Sequence, residues 1–133
     1  MPTFSKVSHI SFSARDAEES AQWWSDVLGL QEIDRVAHDD WRAILLIHPS
    51  TATIIEFQQH TENQGEAFDP RRTGFDHMGF KVDSRADLDD WREHFERLGV
   101  THSPIADAEY GSVLTFKDPD GIQFEMFYRE GHP

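Results

Sequence analysis

The sequence predicts an α+β fold: two tandem βαβββ modules whose mixed sheet is cupped, with the helices on its outer face. Three observations predict it. The chain repeats itself, each copy passes through the same order of hydrophobic periods, and a polar stretch carrying Gly65 and Pro70 separates the copies. Val7-Ser-His-Ile-Ser-Phe12 opens the first copy and Phe75-Asp-His-Met-Gly-Phe80 opens the second. With His9 set against His77, Phe12 meets Phe80 and Trp23 meets Trp91. Leu28-Gly29-Leu30 meets Leu98-Gly99-Val100 after a slip of two residues. Glu56 lies 47 residues after His9, and Glu125 lies 48 after His77.

Each copy starts with an alternating strand. Over Val7 to Ser13, residues 7, 9, 11 and 13 share one face, and Ile10 and Phe12 share the other. Over Phe75 to Val82, His77, Gly79 and Lys81 oppose Met78, Phe80 and Val82. Each His therefore points away from the face that the apolar residues offer to a helix. That helix follows. Asp16 and Glu19 have capping-box spacing, and Ser84 with Asp87 is a weaker version. Ala17, Ala21, Trp24 and Leu28 make one helical stripe, and Leu88, Trp91, Phe95 and Leu98 make the other. Trp24 and Trp91 read as core anchors on these stripes. Gly29 and Gly99 fall where left-handed C-terminal caps belong.

Three strands complete each copy: Glu32 to Ala37, Ala43 to His48 and Thr53 to Gln58, then Thr101 to Ala106, Ser112 to Lys117 and Ile122 to Tyr128. Asp39-Asp40 and Glu109-Tyr-Gly111 read as hairpin turns, and Asp118-Pro-Asp-Gly121 as a tight turn. The boundaries that follow are one domain over 1–133, with modules 5–60 and 74–129 joined by a linker over 61–73.

The balance of 12 Lys and Arg against 25 Asp and Glu, a formal charge of −13, disfavours nucleic acid and anionic membrane as partners. Acidity keeps a protein soluble; it also suits a pocket that attracts cations. With no cysteine, disulfides and thiolate zinc sites are excluded, and any metal must sit on His, Asp or Glu. The opening residues lack the apolar core and cleavage pattern of a secretory signal. The longest apolar run, Ala43 to Ile47, is too short to span a bilayer. A cytoplasmic protein is expected.

The chemistry lies on the faces turned away from the helices. Each first strand carries one His there and each last strand one Glu. If the modules pack about a pseudo-twofold axis, His9, Glu56, His77 and Glu125 converge. Two imidazoles and two carboxylates suit one divalent metal (Zn, Ni, Fe, Mn or Co) with positions left for water or a small-molecule substrate. A lone His in a strand is ordinarily a surface or hydrogen-bonded residue. Matched pairs at spacings of 47 and 48 weigh against that reading here. A repeat that merely records ancestry, its metal lost, is the third possibility.

Gln58, His60 and Gln123 lie near the same face and are candidate substrate contacts. His60 is either an acid–base group or a rim residue. His38, His48, His94, His102 and His132 read as surface residues. Arg71-Arg72 is either solvated or placed to meet an acidic substrate.

The segments VSHISF (7–12), WWSDVLGL (23–30), FDHMGFKV (75–82) and DPDGIQFEMF (118–127) resemble the vicinal oxygen chelate superfamily. That group holds glyoxalase I, extradiol dioxygenases, fosfomycin-resistance enzymes and bleomycin-binding proteins. The resemblance covers nearly the whole chain. It implies paired modules around a metal, often completed in a homodimer. His9, His77 and Glu125 match the ligand set common to several branches, and Glu56 matches the additional Glu of glyoxalase I. The resemblance thus implies glyoxalase-like lyase or isomerase chemistry on a substrate with adjacent oxygens, through a metal-stabilised enediolate. Glu56 and Glu125 are then the candidate catalytic bases.

The chain departs from glyoxalase I at Trp23-Trp24, where Phe-Tyr is typical, and in Phe57-Gln-Gln-His60. It also shows no identifiable basic residues for glutathione carboxylates. Two alternatives remain: an Fe(II) extradiol-type dioxygenase using His9, His77 and Glu125, and a non-catalytic binding protein for a small molecule or antibiotic.

Overall fold

A strand that gives every second side chain to a helix needs that helix directly after it, and both halves of the chain are built this way. The computed structural model describes residues 1–133, in two units, Met1–Glu66 and Ala67–Pro133. Unit 1 contains β1 (Ile10–Ser13), α1 (Ala17–Leu28), β2 (Gln31–Ala37), β3 (Trp41–Ile47) and β4 (Ile54–His60). Unit 2 contains β5 (His77–Lys81), α2 (Arg85–Leu98), β6 (Ala106–Ala108), β7 (Gly111–Lys117) and β8 (Gln123–Tyr128). The sheets have the orders β1-β4-β3-β2 and β5-β8-β7-β6. In each, the first and last strands pair in parallel and the remaining pairs are antiparallel. The α+β class and the doubled βαβββ order are therefore as expected. Neither helix is long and apolar enough to cross a membrane.

The core of unit 1 forms where the strand and helix periods meet. Phe12 stacks on both Trp24 and Phe57, and Trp24 and Phe57 meet tilted at 5.4 Å between ring centroids. Trp24 is fully buried, so its truncation to Ala would cost about 3–5 kcal/mol. Asp16 caps α1 by accepting from the backbone N–H groups of Glu18 and Glu19 at 3.0 and 3.1 Å. Gly29 closes the helix with a left-handed φ of 75°.

Unit 2 repeats the plan with a different stripe. Leu88 and Phe95 are fully buried, whereas Trp91 is half-buried and Leu98 is 49% exposed. At about 100° per residue, Leu88 and Phe95 lie within about 20° of each other on the helix, while Trp91 and Leu98 drift about 60–80° to one side. The α1 stripe stays within about 60°, and all four of its residues are buried. Trp91 is thus a flank of the core rather than the anchor expected of it. Ser84 and Asp87 form the full reciprocal capping box: Ser84 Oγ accepts from Asp87 N at 3.2 Å and Asp87 Oδ2 accepts from Ser84 N at 2.8 Å.

Two strands differ from expectation. β1 begins at Ile10, so His9 lies just before it, among exposed residues. The expected strand over Thr101 to Ala106 is reduced to one bridge, His102 with Phe116, followed by the short β6. Pro104 has no N–H to give a ladder. Ser103 instead ties the segment to β7: its N–H donates to Thr115 O at 2.9 Å, and its Oγ accepts from Thr115 N at 3.0 Å.

The β6–β7 hairpin is held at its tip by a close approach. A Cβ on Gly111 would stand 2.6 Å from the Phe127 ring and 2.7 Å from Tyr128 O, at a φ of 147°. Neither neighbour is a flexible chain end, so Gly111→Ala is expected to lower stability by about 2–3 kcal/mol. Urea unfolding measures this; a loss under about 0.5 kcal/mol would contradict the geometry.

Candidate functional site

In unit 1 the parallel register sets Ser11 against Glu56 and Ser13 against Gln58. The alternate residues Ile55 and Phe57 are fully buried beneath them, so Glu56 and Gln58 emerge on the opposite, half-exposed face. Ser11 Oγ donates to Glu56 Oε1 at 2.9 Å. Ser8 Oγ lies 3.1 Å from His9 Nδ1, within hydrogen-bond reach. Gln58 Nε2 donates to the Nε2 of His60 at 3.3 Å, and His60 is exposed at the end of β4.

In unit 2 the register sets His77 against Gln123 and Gly79 against Glu125. This brings His77 Nε2 to 3.8 Å from Glu125 Oε1, with the His side chain 43% and the Glu side chain 18% exposed. That is too long for a hydrogen bond. The other ring nitrogen is engaged: His77 Nδ1 donates to Asp76 Oδ1 at 2.6 Å. The Asp76 hydrogen bond, opposed by partial burial and helped by the charge of Glu125, raises the His77 pKa above its ordinary value. Gly79 makes room for the carboxylate, since a Cβ there would stand 3.3 Å from Glu125 Oε1.

A family model described as the Glyoxalase/Bleomycin resistance protein/Dioxygenase superfamily matches residues 6–126. The chain belongs to that superfamily. It is 30% identical to a glyoxylase/bleomycin resistance protein/dioxygenase domain from Frankia sp. EAN1pec, covering 94% of this chain and 98% of that one, with a TM-score of 0.85. A variant of the fosfomycin resistance protein FosX from Listeria monocytogenes, solved with Mn(II) and 1S,2S-dihydroxypropylphosphonic acid, shares the fold at 19% identity. Its TM-score is 0.70, covering 94% of this chain and 90% of that one. Among curated proteins, the chain is 23% identical over 125 residues to one named "Putative ring-cleaving dioxygenase MhqA" from Bacillus subtilis (strain 168). The match takes in 93% of this chain but spans only 40% of the length of that relative.

Set in this superfamily, whose FosX member was solved with Mn(II), the donor pairs can be tested against a divalent metal. Within neither unit do three His, Asp or Glu side chains gather to hold one. Each unit presents two candidates, one His and one Glu, from strands paired in parallel or, for His9, from the residue just before. Two ligands on one tetrahedral divalent ion, each at about 2.0–2.2 Å, stand roughly 3.3–3.6 Å apart. The His77–Glu125 separation of 3.8 Å is slightly wider than that, and the pair consists of a borderline nitrogen and a hard oxygen donor.

Three residues to which the sequence assigned no site role, Ser11, Asp76 and Gly79, shape the site of this superfamily member. Their signal was present as the residue two beyond His9 and His77, and as the residue directly before His77. Of the histidines read as surface residues, three are half-buried. His102 is tucked beside Phe95 with its Nδ1 donating to Ser103 O at 2.7 Å, His94 lies against Trp91 and Phe95, and His48 follows β3.

Proposed function

We propose that this chain is a metal-dependent, glyoxalase-like enzyme, with His9, Glu56, His77 and Glu125 as ligands of one divalent metal. The observation that carries this reading is the open pair in unit 2, His77 Nε2 and Glu125 Oε1 at 3.8 Å, whose counterparts in the sequence repeat of unit 1 are His9 and Glu56. Zn, Ni, Fe, Mn and Co all accept such donors. The metal would supply Lewis-acid stabilisation of negative charge developing on two adjacent substrate oxygens. A working homodimer belongs to the same reading, and light scattering that reads a monomer at micromolar concentration would refute that part.

The chain's own task is to move a proton. In a hemithioacetal, a carboxylate removes the C–H proton from the hydroxyl-bearing carbon. The electron pair moves toward the adjacent carbonyl, the proton returns to the neighbouring carbon, and the hydroxyl proton passes to the former carbonyl oxygen, so the reaction is an isomerisation. Glu56 and Glu125 are the candidates. Glu125 lies 3.8 Å from His77 Nε2, and Glu56 accepts a hydrogen bond from Ser11 Oγ. We take Glu56 as the base, because His77 and Glu125 supply the closer pair of metal donors. Gln58, His60 and Gln123 share or border these faces and supply polar contacts to substrate.

A second reading draws on the Bacillus subtilis relative and its name: an Fe(II) dioxygenase in which His9, His77 and Glu125 form a facial triad. Metal-loaded protein assayed with a methylglyoxal–thiol adduct and then with a catechol separates the two readings by product.

Purified protein is expected to hold about one divalent metal per complete four-ligand site. His9→Ala and His77→Ala should each abolish stoichiometric uptake; metal retained by both variants would remove the assignment. Glu56→Gln should keep the fold and most of the metal but lower turnover per bound metal by roughly 10²-fold or more. Unchanged turnover per metal would transfer the role to Glu125.

A further inference from the structure

The two histidines are not equivalent, because the residues directly before them differ. Ser8 Oγ lies 3.1 Å from His9 Nδ1, and Asp76 Oδ1 lies 2.6 Å from His77 Nδ1. A hydroxyl both donates and accepts, so Ser8 is compatible with either tautomer of His9. An ionised carboxylate only accepts, so the His77 nitrogen that faces Asp76 must carry a proton. In the neutral ring, the lone pair then sits on Nε2, the atom turned toward Glu125. The carboxylates differ in the same sense. Glu56 Oε1 already accepts from Ser11, while the position opposite Glu125 is Gly79, which brings no side chain at all.

We infer that Asp76 is a positioning residue for His77, and that it makes His77–Glu125 the anchoring half of the metal site. The inference rests on the metal-dependent reading above. Asp76 acts in two ways: its charge-assisted hydrogen bond fixes the ring's tautomer and rotation, and its negative charge makes Nε2 a better donor. Outer partners of this kind are worth about 10–100-fold in metal affinity, and the lower end applies here because the Asp76 side chain is 69% exposed.

The test compares wild type with Asp76→Ala, Asp76→Asn and Ser8→Ala by two readouts. The first is the His77 ring nitrogen shifts in metal-free protein at alkaline pH, which report the tautomer whether or not metal binds. The second is calorimetric titration with Zn(II) alone. Wild type should show His77 protonated on Nδ1. Asp76→Ala should populate the Nε2-protonated form and weaken Zn(II) binding about 10-fold. Asp76→Asn, whose amide oxygen still accepts from Nδ1, should restore the tautomer and much of the affinity. Ser8→Ala should change affinity by less than about 3-fold, as expected for a weak exposed hydrogen bond.

An Nε2-protonated His77 in wild type, or Asp76→Ala binding Zn(II) as tightly as wild type, overturns the inference. So does a Ser8→Ala loss as large as that of Asp76→Ala. If wild type shows the Asp76-dependent tautomer yet takes up no Zn(II), the metal-dependent reading falls while the positioning of His77 by Asp76 stands.

Discussion

The parallel register between the first and last strand of each unit is the constraint on which the candidate site depends. Ser11 stands against Glu56 and Gly79 against Glu125 because Ile55 and Phe57, and likewise Phe124 and Met126, must face the helices. A slip of one residue would invert every side chain of the strand. It would drive a carboxylate into the space of Phe57 and leave two large apolar groups in water. Each of those groups is worth about 1.5–3 kcal/mol, and an unpaired buried charge costs several more. The core therefore enforces the register, and the polar face inherits its geometry. No hydrogen bond among the site residues is needed to place Glu56 or Glu125 on the open face.

This separation of duties lets the two copies share one structural plan while their open faces diverge. Both keep an aromatic core beneath the strands: Phe12, Trp24 and Phe57 in one unit, Phe95, Phe116 and Phe124 in the other. Both keep a capped helix with a left-handed glycine at its end. On the open face, equivalent positions hold Ser8 and Asp76, then Ser11 and Gly79. A residue on that face is released from packing, so its chemistry can change at little cost to stability. The outcome is one unit whose Glu is held by a hydroxyl, and one whose Glu stands open beside an oriented imidazole.

Most of the fold was legible in the sequence because it rests on periodicity. Alternation placed His9, Glu56, His77 and Glu125 off the core face, and the helical stripes named Trp24 and Phe95 as buried. Errors occurred where periodicity carries less information. The strand expected over Thr101 to Ala106 overlooked Pro104, and the start of β1 was placed before His9 rather than after it. Trp91 lies on a stripe that drifts around its helix, and a list of apolar residues at helical spacing does not reveal that drift.

By itself the sequence determined the doubled βαβββ order, the superfamily, and which side chains leave the core, because each follows from spacing along one chain. Only the tertiary structure decided which polar atoms meet. The 3.8 Å between His77 Nε2 and Glu125 Oε1, the 2.6 Å from His77 Nδ1 to Asp76, and the hydroxyl of Ser11 on Glu56 are such meetings. These distances depend on strand register, on side-chain rotamers and on whether a neighbouring position carries a Cβ. None of these is encoded in the period of apolar residues, because that period fixes faces and leaves contacts to packing.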